Sequence, residues 1–185
     1  MRRIIQIFSI IFLALCLCAC GKNEEDWRDR YEVRDADAEV KKLLEHFSEN
    51  RDLLEGIALG MIKEQSESSI ELHGKRGQLY VVLDPNREGS FFDYVEPIES
   101  ETGNLLADYY AKGFSESQDI YIDERHWYMD CDTCVFSYDA FLADDGVLTH
   151  VDLIYCETEN PKELLHYRYI DIDEHWKICV VDYAF

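Results

Sequence analysis

The segment CVFSYDAFLADDGVLTHVDLIYC, residues 134–156, decides the fold class of this chain. It holds two runs rich in β-branched and aromatic residues, and Asp144-Asp145-Gly146 separates them as a turn signal. Consecutive strands that are joined by a short connection pair antiparallel. The segment therefore predicts two strands of an antiparallel sheet.

Further runs on both sides of this segment extend the pattern. A hairpin is predicted where SSIELH and QLYVVL flank the turn GKRG. From Ala38 to Met61, apolar residues recur at spacings of three and four, which predicts helix, and Ser48 or Asn50 could cap a second helix within it. A shorter helix is predicted from about Thr102 to Lys112. The remaining predicted strands are DIYID, HWYMD, LLHYRYI and HWKICVVDY.

This order of elements predicts one α+β domain over residues 37–185. We expect a curled antiparallel sheet of about six or seven strands, with the N-terminal helix or helices and one further helix packed on one face. The order is similar to that of the nuclear-transport-factor-2-like and cystatin-like folds. Such folds contain enzymes and non-catalytic binding proteins alike, so the resemblance implies an architecture and no activity.

The N-terminal residues have the pattern of an export signal. Arg2 and Arg3 precede an apolar run that extends from Ile4 to Ala19. This run is shorter than the roughly 20 residues that a bilayer-spanning helix needs. We therefore expect residues 1–19 to be a cleaved signal peptide, and an uncleaved signal anchor is the alternative.

Residues Leu17, Cys18, Ala19 and Cys20 resemble the lipobox of bacterial lipoproteins. The resemblance implies that the Cys20 thiol receives a diacylglyceryl group, that cleavage occurs just before Cys20, and that the new amino terminus is acylated. Two or three acyl chains, palmitate for example, form a stable membrane anchor. Residues 20–36 would be the lipidated tether, and the domain would face away from the cytoplasm. Gly21 stands where an inner-membrane retention aspartate would be, which favours the outer membrane if the source has two.

The charge of the chain restricts its partners. Removing Arg2 and Arg3 with the signal leaves 16 basic residues against 39 acidic ones, a formal charge of −23. Nucleic-acid binding depends on clustered Lys and Arg, so we expect no nucleic-acid partner. The same charge repels anionic lipid headgroups, so we expect the acyl chains alone to hold the domain at the membrane.

Four cysteines remain once the signal and Cys20 are set aside: Cys131, Cys134, Cys156 and Cys179. They could form disulfides, since the protein is expected to be exported. The CDTC spacing is also that of a redox dithiol or half a zinc site. However, flanking aspartates raise thiol pKa values, and a zinc site needs a second close pair. A hairpin turn with the first two cysteines opposed across it is the simplest interpretation.

Two similar stretches, YIDERHWYM at 121–129 and IDIDEHWKI at 170–178, place acidic residues before His-Trp at a strand entry. Acidic turns followed by an aromatic residue are common in hairpins, so this similarity is expected to be structural. The sequence contains no catalytic or phosphate-binding motif, and we predict no metal site and no cofactor.

Two functional hypotheses remain. The favoured one is a non-catalytic lipoprotein that binds a protein, peptide or ligand through an aromatic-rich open face of its sheet. The alternative is a cation-dependent or hydrolytic enzyme that combines surface carboxylates with one or more of His126, His150, His166 and His175.

Overall fold

The computed structural model describes residues 27–68, 71–83, 95–112, 117–123, 133–156 and 166–183. The chain divides into two units, residues 1–32 and residues 33–185. Within the first unit the described part contains one 3₁₀ turn, Trp27–Arg30. The second unit contains two helices and nine strands among its described residues. The helices are α1 (Ala36–Ser68) and α2 (Glu101–Ala111). The strands are β1 (Leu72–Lys75), β2 (Gln78–Val82), β3 (Val95–Ile98), β4 (Ser117–Ile122), β5 (Thr133–Tyr138), β6 (Phe141–Leu142), β7 (Leu148–Cys156), β8 (Tyr167–Asp171) and β9 (Trp176–Tyr183).

Helix α1 begins at a side-chain cap and bends in the middle. The Asp35 carboxylate accepts from the backbone N–H of Asp37 at 3.0 Å, which satisfies a donor that lacks an intrahelical partner. At Asn50 the backbone leaves helical geometry (φ −126°, ψ 15°), and the side-chain amide donates to the carbonyl of His46 at 3.0 Å. The α1 label thus covers two helical segments that meet at a kink at Asn50, one of the two positions predicted as a possible cap of a second helix.

Helix α2 starts at Ser100, whose hydroxyl accepts from the backbone N–H of Gly103 at 3.1 Å. It packs on α1 at two glycines. A Cβ at Gly60 would lie 2.3 Å from the Thr102 hydroxyl, and one at Gly56 would lie 3.3 Å from Leu105. The element that crosses α1 at these glycines is therefore α2.

The predicted α+β class and the curled, open antiparallel sheet are confirmed, with nine described strands where about six or seven were expected. The strand order is β3-β2-β1-β4-β5-β7-β9-β8, and β6 also pairs with β7. The quoted segment 134–156 supplies most of β5 and all of β6 and β7, and both β5 and β6 pair with β7. The predicted hairpin forms β1 and β2 around Arg76 (φ 52°) and Gly77 (φ 76°), the left-handed pair of a tight two-residue turn.

Two features of the sheet differ from the sequence prediction. A simple meander would place β8 between β7 and β9, but β9 pairs directly with β7 over eight residues and β8 lies outside it. The first six residues of β9 are buried, so both of its faces are covered, whereas none of the five residues of β8 is buried. Strand β9 therefore takes the interior position. Strand β3 was not predicted because it contains Pro97, and proline is tolerated on a terminal strand.

The two faces of the sheet carry different side chains. The helices cover one face, where the largest buried residues include Phe136, Leu153, Trp176 and Ile178. On the opposite face, alternate positions of the same strands form a smaller cluster: Val135, Ile154, Cys156, Cys179 and Val181, with Tyr121, Tyr167 and Tyr169 packed against it. We call this opposite side the tyrosine face.

Candidate binding surface

Three tyrosines lie together at the β8 end of the tyrosine face. Tyr167 is paired with Val181 and Tyr169 with Cys179 in the β8–β9 register, and Tyr183 follows Val181 by two positions on the same side of β9. The rings of Tyr167 and Tyr169 meet edge to face with centroids 6.3 Å apart. Tyr183 is 42% exposed. We call Tyr167, Tyr169 and Tyr183 the tyrosine row.

The phenols of the tyrosine row are neutral at physiological pH. Burial raises the pKa of Tyr167, Tyr169 and Tyr183, and the nearby Cys179 raises all three further. Asp152 raises the pKa of Tyr167 and Tyr183, and Asp123 raises that of Tyr167 and Tyr169. The row therefore presents neutral aromatic rings and hydroxyl groups.

The two acidic groups behind the row lie inside the protein. Asp152 is 0% exposed and Asp123 is 3% exposed. The nearby ammonium group of Lys177 donates to Asp171 at 2.6 Å, so a carboxylate offsets this cation. Buried carboxylates exert their field on neighbouring groups with less screening than surface carboxylates.

A polar cluster around His150 lies farther along the tyrosine face. Nε2 of His150 lies 3.1 Å from the Ser137 hydroxyl and 3.3 Å from Oδ1 of Asp152, and it also contacts the Tyr138 carbonyl oxygen. A serine nucleophile needs an imidazole in which one nitrogen accepts the serine proton and the other nitrogen donates a hydrogen bond to the carboxylate. Here the same nitrogen faces all three groups, so the two nitrogens of His150 are not divided between the serine and the carboxylate. This arrangement does not provide a base for Ser137.

The other predicted histidines do not join His150. His175 lies in the β8–β9 turn, where Nδ1 is 3.2 Å from the Cys156 carbonyl and Nε2 is 3.7 Å from Glu174. His166 is exposed at the start of β8, and its backbone carbonyl accepts from the N–H of Asp182. His126 lies outside the described residues. No group of three or more His, Cys, Asp or Glu side chains in the described ranges is arranged to hold a metal ion.

The second of the two similar stretches builds a turn. Oδ1 of Asp173 accepts from the backbone N–H groups of His175 at 2.8 Å and Trp176 at 2.9 Å, while Oδ2 accepts from Arg51 of α1 at 2.7 Å. This agrees with the structural interpretation of the acidic residues. Trp176, however, is 1% exposed and lies in the core beneath the helices rather than at a hairpin surface.

Three of the predicted disulfide cysteines, Cys134, Cys156 and Cys179, are described, and each is buried. Cys134 belongs to the helix-covered core, whereas Cys156 and Cys179 lie on the tyrosine face. Cys179 is opposite Asp152, four positions along β7 from Cys156, which is about 13 Å at the rise of a strand. A disulfide requires Cα atoms within about 7 Å and Cβ atoms that point toward each other. Cys156 and Cys179 are therefore too far apart along the sheet, and Cys134 lies on the opposite face from both. Burial raises the pKa of the Cys134 and Cys179 thiols. Cys131 and the lipidation residue Cys20 lie outside the described residues.

Among the described residues, neither helix combines the length and apolar character needed to cross a bilayer.

Comparisons of the chain with protein-family models, with curated proteins and with solved structures found no match.

The sequence predicts an aromatic binding face but does not predict which tyrosines form it. The signal is the alternation Tyr167, Tyr169 in YRY, followed by Tyr183 at the end of the last strand. Alternation puts the first two on one face. Their proximity to Tyr183 depends on the pairing of β8 with the outer edge of β9, which the sequence does not reveal.

Proposed function

We propose that this protein is a membrane-anchored extracytoplasmic lipoprotein with a non-catalytic binding domain. Its anchor is a lipid on Cys20, and its binding surface is the tyrosine row, which receives a protein or peptide partner. The observation that carries the binding proposal is the grouping of Tyr167, Tyr169 and Tyr183 at one end of the sheet, with Tyr183 42% exposed.

Tyrosine suits such a surface for physical reasons. Its ring supplies a large contact area with few rotatable bonds, and its hydroxyl bonds to partner or water, so tyrosine is enriched in the energetically dominant parts of interfaces. The edge-to-face contact of Tyr167 and Tyr169 fixes the rings before a partner arrives. Rings that are already ordered lose less entropy on binding.

The polar groups on the same face support binding rather than hydrolysis. His150 contacts Ser137, Asp152 and Tyr138 through one nitrogen, so His150 and Ser137 do not form an activated nucleophile pair. Burial raises the pKa of the Cys179 thiol, so this thiol is not an activated nucleophile either.

The anchor proposal rests on residues 17–20 and the apolar run before them. One acyl chain binds a membrane only marginally, and several chains on one cysteine give stable attachment. The acidic body, with 39 acidic residues in the chain, has no attraction of its own for anionic lipid.

The test compares Cys20→Ser with Cys18→Ser in cells that are fed an alkyne-labelled fatty acid. The wild type and Cys18→Ser should incorporate the label and sediment with membranes, because Cys18 fills a small-residue position. Cys20→Ser should carry no label, and its intact mass should retain the signal peptide. Label on Cys20→Ser, or a wild-type protein without label, would refute the anchor.

A further inference from the structure

The residues that join the tether to the domain lie close to the exposed end of the tyrosine row. We propose that the row therefore works at the membrane surface, and that it binds a partner protein held in the same membrane rather than a soluble protein. This proposal rests on the proposed function, because it needs both the lipid anchor on Cys20 and a protein partner for the row.

The first argument is that the tether joins the domain at a fixed place on strand β6. Val33 forms a parallel bridge with Leu142, and the backbone N–H of Arg34 donates to the Leu142 carbonyl at 2.8 Å. The guanidinium group of Arg34 lies 6.0 Å from the centroid of the Phe141 ring and 3.6 Å from the Glu39 carboxylate. Backbone and side-chain contacts together therefore hold the start of the domain against the sheet.

The second argument is the short path from this place to the tyrosine row. Leu142 is paired with Leu148 of β7, and Leu148 is paired with Tyr183 of β9. Neighbouring strands lie about 4.8 Å apart, so three strand steps separate Val33 from Tyr183 by about 15 Å. The side chains of Val33 and Tyr183 are both exposed. The attachment point and the exposed end of the row therefore share one end of the sheet.

The third argument is the length of the tether. Residues 20–33 span at most about 45 Å when the chain is fully extended, and a flexible chain is shorter than this on average. Three tyrosine rings form a small contact surface, and small interfaces between freely diffusing proteins are weak. Two proteins that are anchored in one membrane meet at a raised effective concentration, which compensates for a weak contact. A membrane-held partner therefore suits this surface better than a soluble one.

The first measurement determines which end of the domain faces the lipid. Full-length lipidated protein is reconstituted into phosphatidylcholine vesicles that carry a headgroup-labelled acceptor, and a donor dye is attached to one new cysteine. Tyr183→Cys marks the row. Glu174→Cys marks the exposed β8–β9 turn at the opposite end of β9, about 23 Å away. Both variants also carry Cys131→Ser, and the cysteines of the described strands are buried.

Energy transfer to the labelled lipid should be more efficient from position 183 than from position 174, because the tether holds the first position nearer to the membrane. Circular dichroism of both labelled proteins shows that the fold is retained. Equal transfer from the two positions, or more efficient transfer from position 174, would overturn the inference.

The second measurement identifies the class of partner in cells. A photo-crosslinking phenylalanine analogue replaces Tyr183 or, as the control, Glu174. Each is expressed in the anchored protein and in a secreted form whose residues 1–20 are replaced by a cleavable signal without a lipobox. A crosslink should form at position 183 and not at position 174, and only in the anchored protein. The crosslinked partner should resist extraction by alkaline carbonate, as membrane-held proteins do.

Three results of the second measurement would overturn the inference. These are a partner that carbonate extracts, equal crosslinking of the secreted form, and no crosslink at position 183. With the first two, the row still binds a protein, so the binding part of the proposed function survives while this inference fails. With the third, both fail together. The fatty-acid label on Cys20 reports separately on the anchor.

Discussion

The two faces of the central sheet are built by the same strands and yet differ in what they contribute. In β7, Leu153 and Tyr155 point into the core beneath the helices, while Asp152 and Cys156 point to the tyrosine face. The helix-covered face carries the larger apolar cluster, and the opposite face carries a smaller apolar cluster with phenolic side chains packed against it. Burial alone therefore does not show which face contributes most to the folding free energy. We expect the first face to supply most of the folding free energy and the second to supply recognition.

The largest expected effect comes from emptying the helix-covered face. Trp176 packs against Phe47, Phe136 and Tyr155, with ring centroids 5.1 to 5.7 Å away. Trp176→Ala should lower the free energy of unfolding by about 3–5 kcal/mol, because it removes a buried ring and leaves a cavity. Urea denaturation monitored by far-UV circular dichroism measures the change.

The matched substitution on the other face is Tyr183→Ala. Its side chain is 42% exposed, so we expect a change within about 1 kcal/mol. Trp176→Phe separates the loss of volume from the loss of a hydrogen bond. The Trp176 Nε1 hydrogen is buried without an acceptor in the described part of the chain, so phenylalanine removes volume but no hydrogen bond. If Tyr183→Ala cost as much as Trp176→Ala, the proposed division between the faces would be wrong.

Much of the helix-covered side could be predicted from the sequence. The three-and-four spacing from Val40 to Met61 identifies α1, and the runs of β-branched and aromatic residues within residues 134–156 identify the strands that it covers. These signals are local, because each depends on the spacing or composition of one element. The predicted bounds of α2 are wrong by one residue at each end, as is common for helix ends, whereas α1 begins two residues before the predicted Ala38 and continues seven residues beyond Met61.

The tyrosine face was harder to predict because it depends on long-range pairing. The order β7-β9-β8 brings Tyr167 beside Val181 and hence near Tyr183, and no short-range pattern specifies that order. Strand β9 lies in the interior of the sheet because it is apolar on both sides. This character can be read from the sequence, but it decides the strand order only when β9 is compared with β8. The complete burial of Asp152 likewise could not be predicted from the sequence, because it depends on how the strands pair.

The next effect in size concerns the helical layer that covers the first face. A Cβ at Gly60 would lie 2.3 Å from the Thr102 hydroxyl, which donates to Glu64 and so joins α1 to the start of α2. Gly60→Ala should therefore destabilise the protein by about 1–3 kcal/mol, since either the two helices must move apart or the Thr102 side chain must move. The free energy of unfolding in urea is again the measurement.

Gly56→Ala is the control on the same helix. Its Cβ would lie 3.3 Å from the tip of the flexible Leu105 side chain, which can move aside. Alanine also favours helix over glycine by up to about 1 kcal/mol, so we expect a change near zero or a small gain. A larger loss at Gly56 than at Gly60 would contradict the packing of α2 described above.

The smallest expected effect is a pH dependence that arises on the tyrosine face. Burial lowers the pKa of His73, and the ammonium group of Lys75 adds to the lowering while Asp119 opposes it. The Glu71 carboxylate lies 3.1 Å from Nε2, and the imidazole stacks on Tyr121. The folded protein therefore binds a proton at His73 less readily than the unfolded chain does.

The sign of the effect follows from this difference in proton binding. Below about pH 6.5, the ordinary value for histidine, the unfolded chain takes up the proton first, so stability falls as the pH falls through this region. Above it both states are neutral at His73 and the contribution is constant. His73→Gln removes the titrating group, so urea midpoints measured from neutral pH down to mildly acidic pH should fall less steeply for the variant than for the wild type. The control is His166→Gln, which changes an exposed histidine at the other end of the sheet and should follow the wild-type curve. If the two variants gave the same slope, the burial of His73 would not be the source of the acid sensitivity.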